Sequence, residues 1–282
     1  MSKGSCLCGS VTWETLAEPY AMYNCHCRMC QKVHGAAFGT YCFFRGGEVR
    51  WTSSTDTIVH YRSSDVLVRS SCDVCGSVVP YANAAGDHWV TPGGCHEEMR
   101  KPDYNIFVRD NSPWHTINGD MPRCDAYPEE SGIPSVEGVP VPGKAKGNVR
   151  GSCLCGAVTY QVTEPFKVAH NCHCSRCRHG RAAAHASNGF VSCDGVEFLS
   201  GGDMLKTYKV PGARSFSQVF CKVCSSLMPH RVSERGFTLI PLGGLDDDPE
   251  IKPVDHLFVA SKASWHDITD DLPQYPEGPP PA

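Results

Sequence analysis

The chain carries one cysteine pattern twice. "GSCLCGSVTWE" at 4–14 returns as "GSCLCGAVTYQ" at 151–161, "NCHCRMC" at 24–30 as "NCHCSRC" at 171–177, and "SSCDVCGS" at 70–77 as "VFCKVCSS" at 219–226. The three segments keep the same order in both copies. A pattern of three segments that returns in the same order indicates a tandem duplication, so each half is expected to repeat one fold.

Each half is expected to be a small, mostly β domain. Short runs such as "SVTWET", "TIVHYR" and "FTLIPL" are rich in β-branched and aromatic residues and are bounded by turn formers, which is typical of antiparallel strands. No segment keeps a helical apolar period over ten or more residues, so helices should be few and short. We predict domains at 1–128 and 148–282, joined by a Pro/Gly-rich linker at 129–147.

The cysteine content favours metal binding over disulfides. There are 18 cysteines in 282 residues. The N-terminal sequence has no apolar stretch of signal-peptide length, and no run is long enough to span a membrane, so we expect a cytoplasmic protein. In a reducing compartment closely spaced cysteines are more often metal ligands than disulfide partners.

Seven cysteines recur in each half, and seven divides into four plus three. A structural zinc takes four ligands, whereas a catalytic zinc keeps three protein ligands and one open position. The early C-x-C and the late C-x-x-C of each half supply the predicted four-cysteine sites, which are Cys6, Cys8, Cys72 and Cys75, and Cys153, Cys155, Cys221 and Cys224. The remaining cysteines form two trios, Cys25, Cys27 and Cys30 (the first trio) and Cys172, Cys174 and Cys177 (the second trio). The prediction is four zinc ions per chain, with the trios as catalytic centres.

A purely structural alternative stays open at this point. A distant histidine such as His60 or His88 could complete a trio and close it. His26 and His173 are poorer candidates, because each lies between two proposed ligands and should point away, bonded to the backbone. The cysteines without a counterpart, Cys42, Cys95, Cys124 and Cys193, are expected to be ordinary thiols.

A zinc held by three thiolates favours chemistry at sulfur. Three thiolates and one Zn²⁺ leave a formal charge of −1, which makes the metal a weak Lewis acid toward water and disfavours hydrolysis. A soft, sulfur-rich site suits a thiol as its fourth ligand. The paired motifs of zinc deaminases and the H-E-x-x-H of metalloproteases are both absent from the sequence.

Together with the closing segments "FVRDNSPWHTINGDMP" and "FVASKASWHDITDDLP", these motifs resemble the glutathione-dependent formaldehyde-activating enzymes, a family that includes centromere protein V. The resemblance implies an Mss4-like β fold with one structural and one catalytic zinc per domain. It also implies a carbon–sulfur lyase that adds the thiol of glutathione to formaldehyde, giving S-(hydroxymethyl)glutathione. The thiol would ionise at the open position of a trio and attack the carbonyl carbon.

Glutathione carries two carboxylates, for which Arg28, Lys32, Arg176 and Arg178 are candidate partners. Two other functions remain open, a glutathione carrier that only binds and a scaffold or chromatin module. Nucleic acid is disfavoured, because the formal net charge is −4 and no basic run occurs. A membrane partner is not expected, and the sequence makes no prediction of the oligomeric state.

The sequence also favours turnover in the first half. Gly35 follows the first trio within "GAAF", a stretch that matches the family's catalytic segment, whereas the second trio is followed by "RHGRAAAHAS". Gly76 after the late C-x-x-C becomes Ser225 in the second half. A side chain in a left-handed turn costs about 1 kcal/mol, which we expect to weaken the second half.

Overall fold

The structure is a computed structural model that describes residues 1–65, 67–83, 85–131 and 140–278. Within these residues the chain forms 25 strands and two short α-helices, which confirms the mostly β prediction. The first half contains β1 Ser2–Ser5, β2 Thr12–Thr15, β3 Ala21–Cys25, α1 Arg28–His34, β4 Gly39–Arg45, β5 Val49–Trp51, β6 Ile58–Arg62, β7 Val68–Cys72, β8 Val78–Val79, β9 Tyr81–Ala82, β10 His88–Pro92, β11 Tyr104–Ile106 and β12 Arg123–Cys124.

The second half repeats most of this order, with no counterpart of β8 and with β13 and β23 in addition. It contains β13 Gly143–Lys144, β14 Val149–Ser152, β15 Thr159–Val162, β16 Val168–Cys172, α2 Ser175–Arg181, β17 Ala186–Ser192, β18 Val196–Ser200, β19 Leu205–Lys209, β20 Ser217–Cys221, β21 His230–Val232, β22 Phe237–Pro241, β23 Asp247–Asp248, β24 His256–Leu257 and β25 Gln274–Tyr275. Short 3₁₀ turns lie at Gly93–Cys95, Val108–Asp110, Glu129–Ser131, Gly202–Met204, Ser233–Arg235, Leu242–Gly244 and Val259–Ser261.

The largest sheet of each half has the same strand order. It runs β12-β11-β3-β4-β10-β9 in the first half and β25-β24-β16-β17-β22-β21 in the second. Most neighbours are antiparallel, as expected, but β11 pairs in parallel with β3 and β12, and β24 does the same with β16 and β25. Residues 143–144 of the predicted linker pair with β23, while 132–139 lie outside the described residues, so the domain boundaries stay a prediction.

Each helix is held at its start by a cysteine of its own trio. The Sγ of Cys27 accepts the backbone N–H of Cys30 at 3.4 Å, and Cys174 accepts that of Cys177 at 3.3 Å. These contacts cap two of the amides that a helix leaves unpaired at its N-terminus. The seven-residue helices therefore begin at the cysteines and serve to place them.

The two halves pack against each other reciprocally. Helix α1 lies on the Leu242–Gly244 turn of the second half, and α2 lies on the Gly93–Cys95 turn of the first. A Cβ added at Gly94 would meet the backbone nitrogen of Ala183 at 2.2 Å, and one at Gly243 would meet the carbonyl oxygen of Gln31 at 2.3 Å. Glycine at both positions is therefore what allows the backbones to approach so closely.

One hydrophobic core runs through both halves. A single cluster of buried side chains contains Trp13 and Val79 from the first half together with Tyr160 and Ile240 from the second. Polar contacts cross the same boundary, because the Nζ of buried Lys32 donates to Asp246 at 2.5 Å and to the carbonyl oxygen of Ser152 at 3.1 Å. The two repeats therefore share one core and polar contacts between the halves. No described helix is long and apolar enough to cross a membrane.

Candidate metal centres

The structure brings each predicted set of four cysteines together. The sulfurs of Cys6, Cys8, Cys72 and Cys75, and those of Cys153, Cys155, Cys221 and Cys224, all lie within 4.8 Å of their set. Individual Sγ–Sγ distances are 3.4 Å for Cys6–Cys8 and 3.7 Å for Cys8–Cys72. A zinc–sulfur distance of about 2.3 Å implies tetrahedral edges of about 3.8 Å. The donors and their spacing therefore fit zinc, and every cysteine of the chain is a free thiol.

The late C-x-x-C of each half turns through a left-handed residue. This residue is Gly76 in the first half, with φ of 76°, and Ser225 in the second, with φ of 57°. The strained serine expected from the sequence is thus present. The second four-cysteine set nevertheless forms with the same 3.4 and 3.7 Å spacings as the first, so the strain leaves the donor arrangement unchanged.

Both trios also converge. The sulfurs of Cys25, Cys27 and Cys30 lie within 4.8 Å of one another, as do those of Cys172, Cys174 and Cys177. Among the residues that the structure describes, no histidine, aspartate, glutamate or further cysteine places a donor within that distance of all three sulfurs. Each trio thus offers three thiolates and leaves a fourth position to another ligand.

The histidines that could have closed a trio lie elsewhere. His60 contacts the Oγ of Ser70 at 2.9 Å, and His88 contacts the hydroxyl of Tyr20 at 3.1 Å. Neither belongs to a group of convergent metal donors in the described part of the chain. The structure therefore gives no support to a histidine as fourth ligand.

His26 and His173 take no part in the trios. Each histidine directly follows the last residue of a strand, Cys25 of β3 or Cys172 of β16. His26 lines a cavity of about 220 Å³ between the halves, and the ring of His173 lies 5.1 Å from that of His185, which lines the same cavity. The Nε2 of His26 lies 3.0 Å from the Oδ1 of Asn105, and that of His173 lies 2.8 Å from the Nδ1 of His256. The expectation that they point away from the sulfurs holds, but the expected backbone partners were wrong.

A buried arginine that sequence reasoning missed lies beside the first trio. Arg69, which is 3% exposed, donates to the hydroxyl of Tyr41 at 2.9 Å and approaches the Sγ of Cys30 at 3.5 Å. Burial opposes its charge, but Tyr41 and Cys30 together hold its pKa above the ordinary value. The cation offsets the negative charge of the thiolates. Its only sequence signal is a charged residue in the apolar run "VLVRSSC".

His34 orients Tyr41. Burial lowers the pKa of His34 to about 4, so the ring is neutral. Its Nδ1 lies 2.5 Å from the carbonyl oxygen of Arg181 and must donate there, which leaves Nε2 to accept from the Tyr41 hydroxyl at 2.6 Å. The tyrosine oxygen is therefore left to accept the hydrogen bond from Arg69.

The first trio is enclosed by apolar side chains. Cys25, Cys27 and Cys30 are 4%, 5% and 3% exposed. They belong to a cluster of their own, whose other members and neighbours include Met29, Tyr41, Tyr81, Phe107, Tyr127 and Leu154. The Tyr127 ring packs edge-on against Phe107 with centroids 5.1 Å apart. Aromatic side chains therefore make up much of the cluster that contains the first trio.

The second trio is more exposed than the first. Cys172 and Cys174 are partly exposed, and no cysteine of this trio belongs to an apolar cluster of the described residues. Arg181 is the nearby cation, with its Nη2 donating to Asn188 at 3.0 Å. Burial lowers the pKa of Arg181 to about 10, against the attraction of Cys177, so it stays charged at neutral pH.

The four cations proposed to bind glutathione carboxylates differ in accessibility. Arg28 is 1% exposed and donates to Ser112 and to the carbonyl oxygen of Leu245, while Lys32 is paired with Asp246. Arg178 is also buried and donates to the carbonyl oxygen of Ser261 at 3.1 Å. Arg176 is exposed on α2. Arg28, Lys32 and Arg178 would have to leave protein partners to meet a ligand, whereas Arg176 would not.

The four cysteines without a counterpart lie outside the described metal groups. Cys42 and Cys95 are buried, and Cys124 and Cys193 are partly exposed. Burial raises the pKa of Cys42 to about 12, so it remains a thiol. Their placement agrees with the expectation of ordinary thiols.

Comparison with known proteins gives one family. The family model of the glutathione-dependent formaldehyde-activating enzymes matches residues 1–110 and 148–261, once in each half. No curated protein matches the chain significantly. Among solved structures, a Rhodobacter sphaeroides protein determined as a structural-genomics target is 28% identical over 34% of this chain and 87% of its own, with a TM-score of 0.29.

Proposed function

Because the chain belongs to the family of glutathione-dependent formaldehyde-activating enzymes, we propose that it is a zinc-dependent carbon–sulfur lyase. Its reaction would join the thiol of glutathione to formaldehyde or a related small carbonyl, and the reverse reaction would cleave the same bond. The observation that carries the proposal is the pair of trios, each with three convergent sulfurs and no fourth donor among the described residues. We expect the protein to act in the cytoplasm, where its thiols stay reduced.

The donor set favours zinc, and the two classes of site would divide its roles. The four-cysteine sites would hold zinc for stability, because four sulfurs fill a tetrahedron. Zinc held by a trio would supply positive charge that favours the thiolate form of a substrate thiol at the remaining position. The reaction needs no redox partner, since the carbon–sulfur bond forms as the carbonyl π bond opens and the proton of the thiol ends on the new hydroxyl.

The chain's own residues would bind and orient the substrate. The cations Arg69 and Arg181 offset the negative charge of the first and second trio respectively, so that a further anionic sulfur is tolerated nearby. The exposed guanidinium of Arg176 is free to meet a carboxylate of glutathione, which it can bind through two parallel hydrogen bonds. Binding at two points would hold the sulfur against the trio while the carbonyl approaches.

The test must separate catalysis from the spontaneous addition of thiols to formaldehyde. Exchange spectroscopy with ¹³C-formaldehyde and glutathione would measure the rate of interconversion with and without the zinc-loaded protein. The proposal expects an exchange rate that rises linearly with protein concentration and falls to the protein-free value in the Cys27→Ser, Cys174→Ser double variant. Glutathione binding without faster exchange would favour the carrier, and no binding at all would favour the scaffold or chromatin module.

A further inference from the structure

The two trios present different surfaces to a ligand, although their sulfurs are arranged alike. The difference begins at the residue before the third cysteine, which is Met29 in the first half and Arg176 in the second. Met29 is 6% exposed and packs in the cluster around the first trio, whereas Arg176 is exposed. One helical position thus supplies an apolar cover in one half and a surface cation in the other.

Other positions also have an aromatic residue in the first half and a polar residue in the second. Strand register makes Tyr41 equivalent to Asn188, and Tyr81 equivalent to His230. Tyr81 packs against the cluster that contains the first trio, while its counterpart His230 is absent from the apolar clusters of the described residues. At these two positions the second half therefore has an amide and an imidazole where the first half has aromatic rings.

Tyr127 completes the enclosure of the first trio. It packs on Phe107 from the segment after β12. Phe258, the counterpart of Phe107, has the same left-handed backbone, with φ of 58° against 55°. Phe258 is nevertheless partly exposed, whereas Phe107 is 2% exposed and lies under the Tyr127 ring.

From these contacts we infer that the second trio alone takes up an anionic thiol, with Arg176 as the partner of its carboxylate, and that the first trio is closed to ligands of that size. This inference rests on the proposed function for the identity of the ligand. It reverses the preference that "GAAF" and the glycine pattern give to the first half. The residues that decide the difference are Met29, Tyr127 and Arg176.

The first experiment measures accessibility and does not depend on catalysis. The zinc-loaded protein is treated with iodoacetamide, and alkylation of each cysteine is followed by peptide mass spectrometry. We expect Cys172 and Cys174 to react about tenfold or more faster than Cys25 and Cys27, because the buried trio must open locally before it reacts. In Tyr127→Ala the first trio should accelerate while the second is unchanged. Equal rates for the two trios in the wild-type protein would overturn the inference.

The second experiment measures the ligand. Calorimetric titration of the zinc-loaded protein with glutathione should give one site per chain. Cys174→Ser should abolish the site, and Lys209→Met, an exposed control on β19 that lies outside both trios, should retain it. Arg176→Met, a surface change that keeps the trio intact, should weaken binding about two- to fivefold, as expected for an exposed charge pair. Two equivalent sites, or binding that survives in Cys174→Ser, would contradict the inference.

The two experiments distinguish a failure of the proposed function from a failure of this inference. If glutathione does not bind at all but alkylation remains unequal, then the proposed function is wrong and the difference in access stands. If glutathione binds and exchange is accelerated but both trios contribute equally, then the proposed function stands and the inference is wrong.

Discussion

Adding one methyl group at Gly94 should destabilise the whole chain. A Cβ there would lie 2.2 Å from the backbone nitrogen and 2.3 Å from the carbonyl oxygen of Ala183 in the other half. Ordinary contacts between such atoms are about 3.5 Å, so the backbones have to separate by about 1 Å. Backbone atoms cannot rotate away as a side chain can. Gly94→Ala therefore forces the first half and the end of α2 apart.

The expected loss of stability is estimated from substitutions that overpack the cores of other proteins. Such insertions cost about 1–3 kcal/mol, and a chain of this length loses about 2–4 °C of Tm per kcal/mol. We expect Gly94→Ala to lower Tm by about 2–12 °C. Gly243→Ala should behave in the same way, because its Cβ would meet the carbonyl oxygen of Gln31 at 2.3 Å.

Differential scanning calorimetry of the zinc-loaded protein measures this directly. Gly202→Ala is the matched control, since no heavy atom lies within 4 Å of its added Cβ and its φ is not left-handed. The control should stay within about 0.5 kcal/mol of wild type. Unchanged stability in Gly94→Ala would refute the close packing of the halves. So would two separate transitions of which only one moves.

Two further predictions follow from the shared core and from a buried histidine. Cys72→Ser should remove much of a metal contribution to stability of about 10 kcal/mol. Both halves should then unfold in one transition, because Gln218 of the second half donates to the carbonyl oxygen of Cys75 at 2.6 Å. A second half that stays folded, as measured by circular dichroism, would contradict this. His96 accepts from the Nε1 of Trp13 at 3.1 Å, and burial lowers its pKa to about 3. His96 therefore stays neutral in the folded chain at pH values where the unfolded chain binds a proton, which begins near pH 6.5. Above that pH the free energy of unfolding has its full value, and between pH 6.5 and pH 3 it falls by up to about 1.4 kcal/mol per pH unit. Urea unfolding at pH 7.5 and 5.5 should show a shallower pH slope in His96→Gln than in wild type, and equal slopes would contradict the assignment.

The metal donors could be predicted from the sequence because their spacing is local and repeated. The C-x-C and C-x-x-C pairs each supply two ligands within a turn, and the count of seven leaves three cysteines over. The capping of α1 by Cys27 belongs to the same local pattern. Both groups of sites accordingly appear where the duplication places them.

The environment of the trios could not be predicted, because distant segments build it. Arg69 reaches Cys30 from β7, and Leu154 reaches the first trio from the other half. The sequence makes Arg28 and Lys32 candidates for glutathione carboxylates, but the packing of the halves buries both. A sequence pattern shows which residues can bind metal, whereas access to the metal depends on tertiary contacts. Two trios with nearly the same motif can therefore differ in function.

Substitution of zinc by ¹¹³Cd, followed by ¹¹³Cd NMR with and without glutathione, tests the central claim most directly. The cadmium shift distinguishes four sulfur ligands from three sulfurs and a lighter donor. We predict four resonances, of which two are typical of four sulfurs and do not respond to glutathione, while two indicate three sulfurs. One of the latter should move to the four-sulfur region when glutathione is added, and Cys174→Ser should remove that response. Fewer than four resonances, or four that ignore glutathione, would contradict the account.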